Sequence, residues 1–235
     1  MSNAQPQAIY LKDYQQPNYF IEKTLLDFEL FEEKTIVRSE LHLVKNQQNN
    51  DANLILNGQE LELVSVAIDG RNLDPKEYLL TDDALELKNL PEKLILQIET
   101  SIKPQENTAL EGLYKSSGMF CTQCEAEGFR RITYYLDRPD VMSVFEVSIT
   151  AHKDQYPVLL SNGNLVASEQ FDDGRHKTVW HDPHKKPCYL FALVAGDLQH
   201  IEDNFTTMSG TNVVLRIYVE PQNIDKCDYA MDALK

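Results

Sequence analysis

The sequence predicts a mainly β chain, built as a sandwich or a bent antiparallel sheet. Two observations carry this prediction. Apolar and polar residues alternate with a period of two in run after run, and turn-forming dipeptides separate the runs.

The runs come in this order. Leu26-Asp27-Phe28-Glu29-Leu30 alternates strictly between apolar and acidic residues, and Val37-Arg38-Ser39-Glu40-Leu41-His42-Leu43 repeats the pattern. Leu61 to Ile68, Ala84 to Lys88, Phe145 to His152 and Val213 to Val219 do the same. Each reads as a strand with one buried and one wet face, because successive side chains of a strand point to opposite sides. Asn57-Gly58, Asp69-Gly70, Asn162-Gly163, Asp173-Gly174 and Ser209-Gly210 supply residues that tolerate positive φ between runs. Pro75, Pro91, Pro104, Pro139 and Pro157 sit at run edges, where a missing N–H does least harm. The polar tract Asn46 to Asn53 reads as an exposed hairpin loop.

Two regions depart from alternation. Glu106 to Asp140 reads as a long irregular segment, a kind of loop that is often functional. Near the C-terminus, Asp225 is a candidate N-cap, followed by Cys227, Met231 and Leu234 at helical spacing. So short a helix needs tertiary partners, and the expectation is a chain cut inside a second domain. Tyr189 to Gly196 is a continuous apolar run, as expected of a strand buried on both faces, and a domain boundary is expected at Asp197.

Composition narrows the function. The 235 residues carry 22 Lys+Arg against 37 Asp+Glu, a net charge of −15. Nucleic acid and anionic membrane surfaces are thereby disfavoured as partners, because both are bound through clustered cations. No apolar stretch is long enough to span a membrane. Met1 to Gln7 is polar, so Cys121, Cys124, Cys188 and Cys227 read as reduced thiols of a cytoplasmic protein.

Chemistry-bearing motifs are sparse. His181-Asp182-Pro183-His184 reads as a polar turn, since Pro183 disrupts any helix that would present both imidazoles. Cys121-Thr122-Gln123-Cys124 lacks the second pair that a structural zinc site wants, and reads as two thiols in a loop. There is no G-x-S-x-G and no phosphate-cradling glycine loop. Trp180 and the tyrosines could line a sugar site, but such residues more often serve core and edge packing. The acidic loop Gln123-Cys124-Glu125-Ala126-Glu127-Gly128 reads, on chemistry alone, as solvated.

Three longer stretches carry more. Thr108 to Tyr114, Cys121 to Arg130 and Ile132 to Val141 resemble the N-terminal domain of the bacterial M1-family zinc aminopeptidases; Leu160 to Asn164 and Lys186 to Asp197 match as well. The resemblance implies a saddle-shaped antiparallel β-sheet or sandwich domain over residues 1–197. It also implies the truncated start of a thermolysin-like catalytic domain over residues 198–235. It implies zinc in the full-length parent, but none in this fragment, because the H-E-x-x-H ligands and the G-A-M-E-N segment would follow residue 235. By the same resemblance, Gln123 and Glu125 correspond to the loop that holds a substrate's free α-amino group, and no catalytic or metal-binding residue is expected here. The implied partners are peptide N-termini and the remaining domains of the same polypeptide. The competing reading is a stand-alone β-sandwich module that binds carbohydrate or protein.

Overall fold

The structure is a computed structural model that describes residues 10–49 and 53–235. The polar start Met1 to Gln7 and part of the Asn46 to Asn53 tract lie outside the described residues. In chain order the strands are β1 (Tyr19–Leu30), β2 (Thr35–Lys45), β3 (Leu54–Asn57), β4 (Glu62–Ile68), β5 (Arg71–Asn72), β6 (Tyr78–Leu80), β7 (Ala84–Leu87), β8 (Lys93–Ile102) and β9 (Gly112–Ser116). They continue with β10 (Met119–Gln123), β11 (Met142–His152), β12 (Val158–Ser161), β13 (Asn164–Gln170), β14 (Arg175–Pro187), β15 (Leu193–Gly196), β16 (Gln199–Thr206) and β17 (Asn212–Val219). One α-helix, α1 (Asp228–Leu234), follows.

Four sheets result. An eight-stranded sheet runs β13-β14-β11-β1-β2-β8-β4-β5; a four-stranded sheet runs β12-β15-β10-β9; a three-stranded sheet runs β3-β7-β6; β16 and β17 form a separate hairpin. The mainly β expectation holds. The pairing is antiparallel throughout except between β1 and β11, which run parallel. Period-two alternation is the same in both pairings, so it could not expose this exception.

Alternation sets the two faces of the large sheet. Leu26, Phe28 and Leu30 of β1 are buried, as are Val37, Leu41 and Leu43 of β2 and Leu94, Leu96 and Ile98 of β8. They share one core with Leu54, Leu56, Leu85, Leu113, Phe120, Leu159 and Leu193 from the two smaller sheets. An aromatic cluster fills its middle: Phe129 meets Tyr135 edge-on at 4.8 Å and Phe191 at 5.4 Å, and Phe28 stacks on Phe191 at 5.9 Å. The intervening residues face a groove of about 420 Å³. There Arg38 reaches Asp27 at 3.3 Å, Glu29 at 2.5 Å and Glu99 at 2.9 Å. Such half-exposed pairs are worth at most about 1 kcal/mol each, so burial of the apolar face dominates.

Several local expectations need correction. Glu106 to Asp140 is not irregular throughout: it contains the β9–β10 hairpin, turned by Ser117 and Gly118 at φ of 51° and 84°. Its strands are only five residues each, too short for a clear alternation signal. Asp69-Gly70 turns with positive φ at both residues, but Asn57-Gly58 does not use positive φ. Gly58 instead lies against Tyr134, whose ring atoms would sit 2.2–2.3 Å from an added Cβ. His181 to His184 belongs to β14 rather than to a turn, with Pro183 inside the register shift between Ser143 and Phe145. Tyr189 to Gly196 is not one strand, because a 3-10 turn (Cys188–Leu190) precedes β15. Asp225 does not cap α1: it lies in a 3-10 helix begun by Pro221, and Cys227 takes the N-cap position.

Candidate functional site

The loop between β10 and the core presents polar side chains on a closed, buried base. β10 is held on both sides, pairing with β9 through Gln123 and Gly112 and with β15 through Phe120 and Cys121. Thr122 adds a side-chain tie, its Oγ1 accepting the Leu193 N–H at 2.9 Å. The strand ends at Gln123, the chain loops through Cys124 to Gly128, and a 3-10 turn (Phe129–Arg131) drives Phe129 into the aromatic cluster. The expected loop is therefore rooted at both ends in the core.

Its base is closed tightly. The Gly128 N–H donates to the Cys124 carbonyl at 2.8 Å. Cys124, Gly128 and Phe129 are buried, whereas Gln123, Glu125, Ala126 and Glu127 are exposed. Gly128 is required by close approach: an added Cβ would lie 2.3 Å from the Gln123 carbonyl oxygen and 2.9 Å from the Gly112 nitrogen. Gly112 in turn sits at φ +72°, a conformation that costs glycine little. The Glu125–Ala126 peptide bond at the crest is cis.

The structure brings Gln123 and Glu125 together. Gln123 Nε2 donates to the Glu125 carbonyl at 3.1 Å, leaving Oε1 with no hydrogen bond among the described residues. Glu127 is ion-paired with Arg130 Nη1 at 3.3 Å. Among the described residues, no ion pair takes the Glu125 carboxylate. The crest therefore carries an exposed carboxylate with no ion pair among the described residues and, two residues earlier, an amide oxygen with no hydrogen bond among them, groups that accept from a cation with several N–H donors.

Beneath the crest lies a group that sequence reasoning missed. Asp137, 3% exposed, accepts the Arg130 backbone N–H at 3.1 Å and Nε at 3.0 Å on the same oxygen. Arg130 Nη2 reaches the Asp137 carbonyl at 3.3 Å, and Cys188 Sγ donates to the other carboxylate oxygen at 3.1 Å. The available signal was a single acid inside the aromatic and apolar run Ile132-Thr133-Tyr134-Tyr135-Leu136-Asp137.

All four cysteines are free thiols, as expected, but only Cys124 of the pair lies in the loop. Cys124 is a buried residue at the base of the loop, Cys121 lies in β10, and Cys188 donates to Asp137. Burial first, then the negative charge of Asp137, pushes the Cys124 and Cys188 thiols well above the ordinary cysteine range. These thiols are protonated at neutral pH and unsuited to metal binding or nucleophilic attack. Among the described residues no group of three His, Cys, Asp or Glu could hold a metal ion, so the ligand set of a zinc centre does not fit this chain alone.

Comparison with known proteins accords with this geometry. The profile of the Peptidase M1 N-terminal domain matches residues 12–190. Aminopeptidase N of Escherichia coli is 51% identical over 232 residues, covering 98% of this chain and 26% of that protein. Aminopeptidase N of Caulobacter vibrioides is 49% identical, covering 98% of this chain and 26% of that protein. Among solved structures, Legionella pneumophila aminopeptidase A in complex with aspartic acid superposes with a TM-score of 0.89 at 37% identity, covering 95% of this chain and 27% of that one. An M1 zinc metallopeptidase from Deinococcus radiodurans shares the fold, with a TM-score of 0.73 at 15% identity over 88% of this chain and 48% of that one. The chain thus spans about a quarter of the length of the curated relatives it matches. Its hairpin-rooted loop, its sheet architecture and these matches together assign it to the M1 peptidase family, as the N-terminal domain.

Proposed function

We propose that this chain is the substrate-anchoring part of a zinc-dependent aminopeptidase that removes N-terminal amino acids from peptides. The carrying observation is the exposed Glu125 carboxylate, with no ion pair among the described residues, two residues from Gln123 on a loop rooted in the core, while Glu127 is paired with Arg130. In this reading residues 1–197 form the β-domain, residues 198–235 open the catalytic domain, and the protein acts in the cytoplasm. The remaining domains of the polypeptide are partners of this one and contribute the zinc ligands.

An aminopeptidase must accept a terminal ammonium and refuse an internal amide. Glu125 gives the ammonium a charge-assisted hydrogen bond, stronger than a neutral one. Gln123 Oε1 accepts a second ammonium hydrogen. When the rest of the enzyme closes over this crest, an internal chain segment would leave the carboxylate dehydrated and unpaired, which penalises it. Fixing the substrate's first nitrogen also fixes the distance to its first peptide bond, so the anchor contributes to rate by positioning. Zinc, bound elsewhere in the polypeptide, would polarise the scissile carbonyl and activate water.

The test is Glu125→Gln in the complete protein, which keeps the shape and removes the charge. The expected loss in kcat/KM on free-amine substrates is about thirty- to a thousandfold. Gln123→Ala should cost less, because it removes a neutral acceptor. Near-parental kcat/KM for Glu125→Gln would reject the anchoring role.

A further inference from the structure

Asp137 is a buried charge, and Arg130 spans from it to the exposed Glu127. Asp137 is almost wholly buried, and one of its oxygens takes both the backbone N–H and Nε of Arg130 at 3.1 and 3.0 Å. The Arg130 carbonyl accepts from Gln59 N at 2.9 Å, so its main chain is fixed on both sides. The Asp137 N–H in turn reaches Asn57 Oδ1 at 3.4 Å. A buried ion pair is seldom a source of net stability, since apolar residues of the same volume often do as well. What it does supply is a unique orientation. With Nε and Nη2 committed to Asp137, only Nη1 is left to reach the loop crest, and it reaches Glu127 at 3.3 Å.

The consequence concerns Glu125. The crest carries two carboxylates, and a substrate ammonium needs one in a fixed place. Arg130 neutralises Glu127 and, being clamped, cannot swing to neutralise Glu125 as well. We propose that Asp137 and Arg130 are positioning residues: the buried Asp137 carboxylate locks the Arg130 guanidinium onto Glu127, which holds the loop crest and leaves Glu125 as the only carboxylate open to the substrate. This inference rests on the anchoring role of Glu125 and adds the device that keeps it available. Removing the clamp frees a guanidinium five residues from Glu125 and lets the crest shift.

The experiment is a double-mutant cycle in the complete protein, read by steady-state kinetics on a free-amine aminoacyl substrate. D137N keeps the side-chain volume and removes the charge. It should lower kcat/KM by about ten- to a hundredfold, the scale of an ångström-sized misplacement, through KM and kcat together. Because the clamp acts through Glu125, adding D137N to E125Q should cost at most about twofold more. R130Q frees no guanidinium but leaves Glu127 unpaired and the crest unheld, so its loss should likewise be smaller in the E125Q background than in the parent, and it carries the cycle if D137N fails to fold. Equal losses in the parental and E125Q backgrounds would overturn the clamp and leave the anchor standing. An E125Q variant with parental kcat/KM would instead overturn the anchor, and the clamp with it.

Discussion

Gly128→Ala tests whether the loop is held as tightly as its geometry requires. The new Cβ would stand 2.3 Å from the Gln123 carbonyl oxygen, 2.9 Å from the Gly112 nitrogen and 3.1 Å from the Cys124 Cα. All three are backbone atoms, so no side chain can rotate away, and the loop must part from β9 and β10. Overpacking of this kind costs about 1–3 kcal/mol, and the upper end applies where main chain must move. Loss of the Gly128-to-Cys124 hydrogen bond adds about 1 kcal/mol. Reduced freedom of the unfolded chain returns up to about 1 kcal/mol. The net destabilisation is then about 3 kcal/mol, which at a urea slope of about 2 kcal/mol/M lowers the midpoint by roughly 1.5 M. Gly118→Ala is the control: its φ is +84° with nothing within 4 Å of the added Cβ. It meets only left-handed strain, about 1–2 kcal/mol before the same unfolded-state gain. The assay is urea denaturation of both purified variants beside the parent. If Gly128→Ala shifts the midpoint no further than Gly118→Ala, the close packing described for the loop is wrong.

Two further outcomes follow from the same structure. Burial pushes the Asp140 carboxyl up, but hydrogen bonds from Arg138 and Tyr14 outweigh burial and hold it below its usual range. A carboxylate depressed on folding stabilises above its unfolded pKa and loses that contribution as pH falls through the folded value. The urea-midpoint gap between parent and Asp140→Asn should therefore be constant from about pH 5 to 7 and shrink below about pH 4; a gap that widens on acidification would contradict the assignment. The isolated chain should neither retain stoichiometric zinc nor hydrolyse aminoacyl substrates, because its described residues assemble no three-donor cluster. Elemental analysis that finds one tightly held zinc per chain would show that a donor set has been overlooked.

Much of the architecture was legible because it depends on local pattern. Leu26, Phe28 and Leu30 alternate with Asp27 and Glu29, and the pleat of a strand turns that alternation directly into a buried and a wet face. Asp69-Gly70 announced its turn because few other pairs tolerate two successive positive φ values. Gln123 and Glu125 were legible only through resemblance, since an acidic loop in an acidic chain is chemically unremarkable by itself.

What the sequence alone determined was which face of β1, β2 and β11 is buried, where several turns fall, and that the chain is mainly β; β17, which alternates in the same way, buries neither face. Tertiary structure alone decided that β1 and β11 pair in parallel, although they lie more than 100 residues apart in the sequence. It likewise decided that residues 57, 130, 137 and 188 meet beneath one loop. The reason is physical. Period and turn chemistry are set by neighbours along the chain, whereas a buried carboxylate finds its partners only after distant segments share a core. There the cost of leaving any member unpaired, rather than any local preference, selects the arrangement.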